Sequence, residues 1–171
     1  MIKNVAWGIL GLVFMACTAN NKPVEVVVSD IAPGWAKTSV NAPIFRKNSV
    51  VSAGGYQFVA FYDSAANVVI AKRSHNNGSW ELNTTQYKGN VYDAHNVISI
   101  MVDGEGFLHM SWDHHNNRLN YCKSVKPYSC QMGEKQSMIG ENETVVSYPE
   151  FYKFGNGDLL FAYRDGGSGN G

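Results

Sequence analysis

The residues with the clearest capacity for chemistry are three histidines, His95, His114 and His115, in the stretch DAHNVISIMVDGEGFLHMSWDHHNNRLNYCKS from Asp93 to Ser124. Imidazole exchanges a proton near neutral pH and is also a common metal ligand, so such a group admits general acid–base catalysis or metal binding. Metal binding has the thinner support, because Asp-His-His on a hairpin matches no specific ligand spacing. Whether the three rings meet depends on the elements that carry them. Val97 to Val102 and Phe107 to Trp112 are apolar runs rich in β-branched and aromatic residues, separated by Asp103-Gly104-Glu105-Gly106. That pattern predicts a β-hairpin. In an antiparallel pair the start of the first strand and the end of the second share one end, which places His95 beside His114 and His115 on a common rim.

The same layout recurs along the chain. Gly55, Gly106 and Gly157 open the runs GYQFVAFYD, GFLHMSWD and GDLLFAYRD, each glycine 51 residues from the next (106 − 55 and 157 − 106). Asp63, Asp113 and Asp165 close those runs, and NVVIAKRS (Asn67 to Ser74) is echoed by NRLNYCKS (Asn117 to Ser124) at an offset of 50 (117 − 67). A period near ~50 built from short strands and glycine turns, with no helical spacing between them, is the pattern of β-propeller blades. A β-helix or a sandwich is the alternative. The fold class is therefore all-β, with blades near 51–90, 91–140 and 145–171. Tyr62, Trp112 and Tyr163 fall at matching positions before the repeat aspartates, where packing between blades explains them better than sugar stacking. His109 lies mid-strand and reads as a structural histidine.

Composition narrows the function classes. The chain is 44% hydrophobic, 16% charged and 12% aromatic with a formal net charge of +0, which argues against disorder, a coiled coil or a nucleic-acid surface. Residues 1–17 carry Lys3 as their one charge and an apolar core from Val5 to Met15, then Ala16-Cys17 before a polar stretch. This is too short to span a bilayer and fits a secretory signal. The small residue before Cys17 resembles a bacterial lipoprotein lipobox, with lipidation at Cys17 as the only route to a membrane; a simple signal peptide cut nearby is the alternative. Either way the protein is expected to be exported, as a lipoprotein or as a secreted protein.

Export changes the reading of Cys122 and Cys130. They flank Lys-Ser-Val-Lys-Pro-Tyr-Ser, which puts them on adjacent strands of one hairpin, and an oxidising compartment favours a disulfide between them over two buried thiols. Residues 18–50 form a lead-in in which Val24 to Val28 reads as a strand, and residues 134–144 form a polar linker. The chain reaches Gly171 inside or just after the hairpin turn of the third blade. Since a propeller closes with about 4 to 8 blades, the sequence is expected to be a truncated chain of roughly three.

Four ordered motifs carry a family resemblance: Asp93-Ala94-His95-Asn96, the run His109 to His115, Ser147-Tyr148-Pro149-Glu150-Phe151, and Tyr163-Arg164-Asp165-Gly166-Gly167-Ser168-Gly169. They resemble the BNR-repeat propeller family that includes the ulvan lyases, and the resemblance covers nearly all of the chain from about Val51. It implies a seven-bladed propeller that cleaves an acidic, uronate-containing polysaccharide by β-elimination. Carried over residue by residue, it points to His95, His115, Tyr148 and Arg164 as catalytic; the chemistry adds Asn96, beside Arg164 at the carboxylate, and His114 as candidate substrate contacts. The strand reading agrees, since it places Tyr148 and His95 at strand starts and Arg164 and His115 at strand ends on neighbouring blades. His114 rivals His115, because alternation along an extended segment turns only one of the pair to a given side.

The implied reaction fits these residue types. Elimination across C4 and C5 of a uronate needs its carboxylate neutralised, a base for the C5 proton and an acid for the leaving O4. Arg164 offers a planar, permanently charged fork; His95 or His115 serves as base and Tyr148 as acid, with the two labels open to exchange. The resemblance names no cofactor, and a structural divalent metal stays open. On this reading the 171 residues alone are a poor catalyst, because the remaining blades supply the far wall of the cleft. Two other classes compete: a propeller that binds glycans without cleaving them, and a sialidase-like glycoside hydrolase, which wants a carboxylic acid where the rim is rich in histidine. Ser74 to Trp80 resembles the Asp-box turn of sialidase-like repeats with Asn for Asp, so His75 reads as an exposed loop residue.

Overall fold

A computed structural model describes residues 26–43, 48–76 and 78–167. These described residues contain no helix and form ten strands in three antiparallel sheets. The first sheet is a meander of β1 (Val50–Ala53), β2 (Tyr56–Tyr62), β3 (Asn67–Ser74) and β4 (Glu81–Lys88). The second joins β5 (Ser99–Val102) and β6 (Leu108–Ser111) to β8 (Tyr121–Lys123). In the third, β9 (Val146–Lys153) is flanked by β10 (Leu159–Asp165) and by β7 (His115–Asn117), a short strand that lies between β6 and β8 in sequence.

The recurring glycines are the reason for the recurring hairpins. Gly55, Gly106 and Gly157 precede β2, β6 and β10 with φ of 80°, 90° and 95°, a region open to glycine and costly for most side chains. In the second turn the Asp103 carboxylate accepts the backbone N–H of Glu105 and of Phe107, both at 2.9 Å. The turns of the second and third sheets also touch: the Gly104 N–H donates to the Gly157 carbonyl at 2.9 Å.

Packing follows from strands that bury both faces and so read as unbroken apolar runs. One face of β2 and β3, with Phe58, Tyr62, Val68 and Ile70, meets Ile100, Leu108, Met110 and Trp112 of the second sheet and its margin. The opposite face of β2 and β3 forms a smaller cluster with Ile31 and Trp80. Leu119, Tyr121, Val146 and Phe151 fill the space between the second and third sheets. Each large side chain buried this way stabilises by about 1.5–3 kcal/mol before entropy is counted. Tyr62 and Trp112 are fully buried; Tyr62 donates its hydroxyl to the Asn96 carbonyl at 2.8 Å, and the Trp112 indole donates to the Lys88 carbonyl at 3.1 Å. Tyr163 is half-buried and donates to the Asn142 carbonyl at 3.0 Å. Packing, as expected, accounts for all three.

Asn48 ties the second sheet to the third. Its carbonyl accepts the Ile100 N–H at 2.6 Å, and its side chain donates to the Phe151 carbonyl at 2.5 Å.

Three expectations need correction. The strand expected over Val24 to Val28 is not formed in its described part, since Val26, Val27 and Val28 are exposed and pair with no strand among the described residues. The echo of β3 over Asn117 to Ser124 does not extend to one continuous strand, because Asp113 (φ 64°) and Asn116 (φ 66°) turn the backbone into the left-handed region and β7 pairs in the third sheet. The expected Cys122–Cys130 disulfide is not formed, and both cysteines are free. Ser124 bridges Met132, and the Gly133 N–H donates to the Lys123 carbonyl at 2.8 Å. In that register Cys122 faces the chain beyond Gly133, well away from Cys130, while on its other side it pairs with Met110. The leader and its Cys17 lie outside the described residues.

Candidate active site

His95 belongs to a tight turn ahead of β5. The Asn96 N–H donates to the Asp93 carbonyl at 3.2 Å, and the His95 N–H donates to Asp93 Oδ1 at 2.9 Å. His115 opens β7, so it begins a strand rather than ending one as expected. Asp and Asn tolerate the left-handed conformation better than most residues, so Asp113 and Asn116 on either side of the His114-His115 pair make this departure inexpensive. The Asn116 N–H then donates to Ser147 Oγ at 2.7 Å and fixes β7 against β9.

Tyr148 and Arg164 are brought to the same place by irregular pairing of β9. Ala162 pairs with Glu150 and Arg164 with Ser147, so Tyr148 and Pro149 together oppose one residue of β10. On the other side His115 pairs with Ser147 and Asn117 with Val146, a second irregularity at the same level. Ser147 therefore lies across from both His115 and Arg164. Tyr148 has φ of 54°, unusual for an aromatic residue and more so before proline, which favours extended backbone in its predecessor. Such a conformation costs about 1–3 kcal/mol and accumulates at functional sites.

The four expected residues converge. The His95 and His115 rings are 4.4 Å apart between centroids, Tyr148 lies 5.9 Å from His95 and 5.8 Å from His115, and the Arg164 guanidinium is 4.9 Å from the centre of the Tyr148 ring. Arg164 Nε donates to the Gly166 carbonyl at 3.1 Å, while its Nη2 is buried with no hydrogen-bond partner among the described residues. The histidine side chains remain 43% and 30% exposed, which leaves the site open to a solute.

A fifth residue, Asp93, escaped the sequence reading. Its Oδ1 meets Nδ1 of His95 and its Oδ2 meets Nδ1 of His115, each at 2.6 Å. Burial alone would raise this carboxyl, but the His95 backbone N–H and the two rings outweigh it and hold it down at about 2. Asp93 stands in the quoted motif, and only its place between two rings, one from the turn before β5 and one from β7, marks it as part of the site. Together Asp93, His95 and His115 also form a cluster able to hold a metal ion, with one ligand atom from each lying within 4.8 Å of the others.

Asn96 and His114 do not join this group. Asn96 is 4% exposed and donates its amide to the Asn90 carbonyl at 2.9 Å. His114 is fully buried, with Nδ1 at 3.1 Å from Asn117 Oδ1 and Nε2 accepting the Asn120 N–H at 2.9 Å. Both expected substrate contacts are thus interior groups that shape the loops around the site. His109 bonds Tyr121 and Asp103, each at 2.9 Å, in keeping with a structural role, and His75 is exposed.

The profile of the BNR repeat-containing family matches residues 56–171. The chain belongs to that family. No curated protein matches it. Two solved structures of an ulvan lyase, described as a new family of polysaccharide lyase (PL25), resemble it with a TM-score of 0.60 at 18% identity, and one of them is bound to -[GlcA(1-4)Rha3S]-. Each match covers 72% of this chain and 33% of the solved one, so the chain spans a third of the length of those lyases. At this identity the likeness is one of fold, and it makes the three sheets of this BNR-repeat chain part of a β-propeller.

Proposed function

We propose that His95, His115, Tyr148 and Arg164 form the active site of a polysaccharide lyase that cleaves an acidic, uronate-containing glycan of ulvan type by β-elimination. The observation that carries this reading is their convergence on the doubly irregular strand β9. Arg164 pairs with the substrate carboxylate and so makes the C5 proton removable. One imidazole takes that proton, the C5–H electrons become the C4=C5 double bond, the C4–O4 bond breaks, and O4 leaves with a proton from the Tyr148 hydroxyl. A positioned base and a positioned acid contribute on the order of 10²- to 10⁴-fold each. A solved structural neighbour carrying -[GlcA(1-4)Rha3S]- supports this choice of substrate class.

A sialidase-like hydrolase would need a protonated carboxyl as acid. The carboxylate placed here is Asp93, held at about 2 with both oxygens engaged, which is unsuited to that task. The test is the ultraviolet absorbance of newly formed unsaturated uronate from ulvan-type polysaccharide. It is run on the 171-residue chain and on a longer chain with further blades, because positioning by a complete cleft lowers the barrier. Product formation that disappears with Tyr148→Phe and with Arg164→Ala supports the lyase. Glycan binding without unsaturated product, indifferent to both substitutions, would replace it with a non-catalytic glycan-binding propeller. Export is part of the same proposal: a substrate of this size is met outside the cytoplasm, and mass spectrometry of the mature N-terminus distinguishes lipidation at Cys17 from simple signal cleavage.

A further inference from the structure

We infer that Asp93 is the positioning residue of this site, one carboxylate that fixes both imidazoles as Nδ1–H tautomers and so places the basic lone pair of each on Nε2. The inference starts from the two contacts of 2.6 Å, one from each carboxylate oxygen to a different ring. An ionised carboxylate can only accept hydrogen bonds, so the nitrogen facing it must carry a proton, and a neutral imidazole has one proton to give. The carboxylate stays ionised at any working pH, since its own backbone and ring contacts hold it down at about 2. An unconstrained imidazole in water favours the opposite tautomer, so this arrangement is imposed.

The backbone supports it. The His95 N–H binds Asp93 Oδ1 as well, which anchors the carboxylate in the turn before β5, while His115 opens β7 and is held against β9. One side chain thus aligns rings from two elements with 4.4 Å between their centres. Charge-assisted hydrogen bonds of this length are strong and directional. The competing use of the trio is as ligands of one metal ion. Nitrogen and oxygen ligands about 2.0 Å from an ion at tetrahedral angles are roughly 3.3 Å apart, so the Asp93 oxygens and the Nδ1 atoms they meet at 2.6 Å do not ligate one ion together. These contacts fit a proton between each pair.

The inference rests on the reading of His95 and His115 as site residues, and its first test needs no activity. Long-range nitrogen–proton NMR of the 171-residue chain with labelled histidine reads the tautomer of each ring directly, with His95→Gln and His115→Gln supplying the assignments. Both rings are expected in the Nδ1–H form at neutral pH, and Asp93→Asn, whose amide also donates, is expected to turn at least one to the Nε2–H form. An Nε2–H ring in the unsubstituted protein, or a pattern unmoved by Asp93→Asn, would overturn the assignment, and so would a stoichiometric metal ion ligated by the two Nδ1 atoms. Should Asp93→Asn not fold, the tautomers of the unsubstituted protein decide the matter. In a chain with lyase activity, Asp93→Asn is expected to lower kcat on the order of 10²-fold with KM little changed, and Asp93→Glu to restore part of it. Two Nδ1–H rings together with a longer chain that yields no unsaturated product would sink the lyase and leave the role of Asp93 intact.

Discussion

The Arg164 guanidinium stands 4.9 Å from the centre of the Tyr148 ring, across a strand pair in which Tyr148 is held at φ 54°. A cation over an aromatic face is attracted by the ring, and here the contact joins the proposed carboxylate binder to the proposed acid. The two residues reach each other only because β9 carries an extra residue at Tyr148-Pro149 relative to β10.

Substitution at this pair separates chemistry from folding. Tyr148→Phe keeps the ring and the backbone conformation while removing the hydroxyl. Unsaturated-uronate release by an active chain is expected to fall on the order of 10²- to 10⁴-fold, with an unchanged circular dichroism spectrum. Arg164→Lys keeps the charge and loses the planar fork, so it is expected to raise KM for the polysaccharide. Retention of full activity by Tyr148→Phe would remove Tyr148 from the acid role.

His114 gives the protein an acid-sensitive interior. Burial drives its ring toward the neutral form, lowering it from 6.5 to about 4 despite its bonds to Asn120 and Asn117. A group depressed in the folded state contributes stability that is present above its unfolded value and lost as pH falls. The loss is therefore expected between about 6.5 and about 4, with a total of roughly 3 kcal/mol. Urea midpoints measured across that range should show the slope in the unsubstituted protein and a weakened one in His114→Gln. Equal slopes would mean that other groups set the acid limit.

The two cysteines are expected to remain thiols. Burial pushes Cys122 up to about 12 and Cys130 to about 11, which suppresses the thiolate needed for oxidation or alkylation. Under non-reducing conditions each should react with a thiol reagent only after denaturation. A mass two protons lower, recovered by reduction, would reinstate the bridge.

The rim opposite the site offers a stability test that leaves the chemistry alone. A Cβ at Gly157 would stand 2.7 Å from the Gly104 Cα and would be held at φ 95°. Gly157→Ala is expected to cost about 1–3 kcal/mol through the strained conformation and the forced separation of the two turns. Thermal unfolding measures it, and no change in Tm would show that the turns part freely.

The all-β class and its repeat are legible in the sequence because turns impose local demands. Glycines 51 residues apart mark the positions that need positive φ, and short apolar runs rich in β-branched and aromatic residues between them read as strands. The gathering of His95, His115, Tyr148 and Arg164 was legible in outline, since strand ends of neighbouring blades share a rim. What the tertiary structure alone decided is which way side chains turn where the backbone leaves the regular pleat. Alternation assumes an extended chain, and Asp113, Asn116 and Tyr148 each break it with a positive φ that their residue types do not demand. Those three departures bury His114, deliver His115 to β9 and aim Tyr148 at Arg164. The role of Asp93 was equally hidden, because a carboxylate becomes a shared acceptor only when two rings 20 residues apart in sequence (115 − 95) arrive on either side of it.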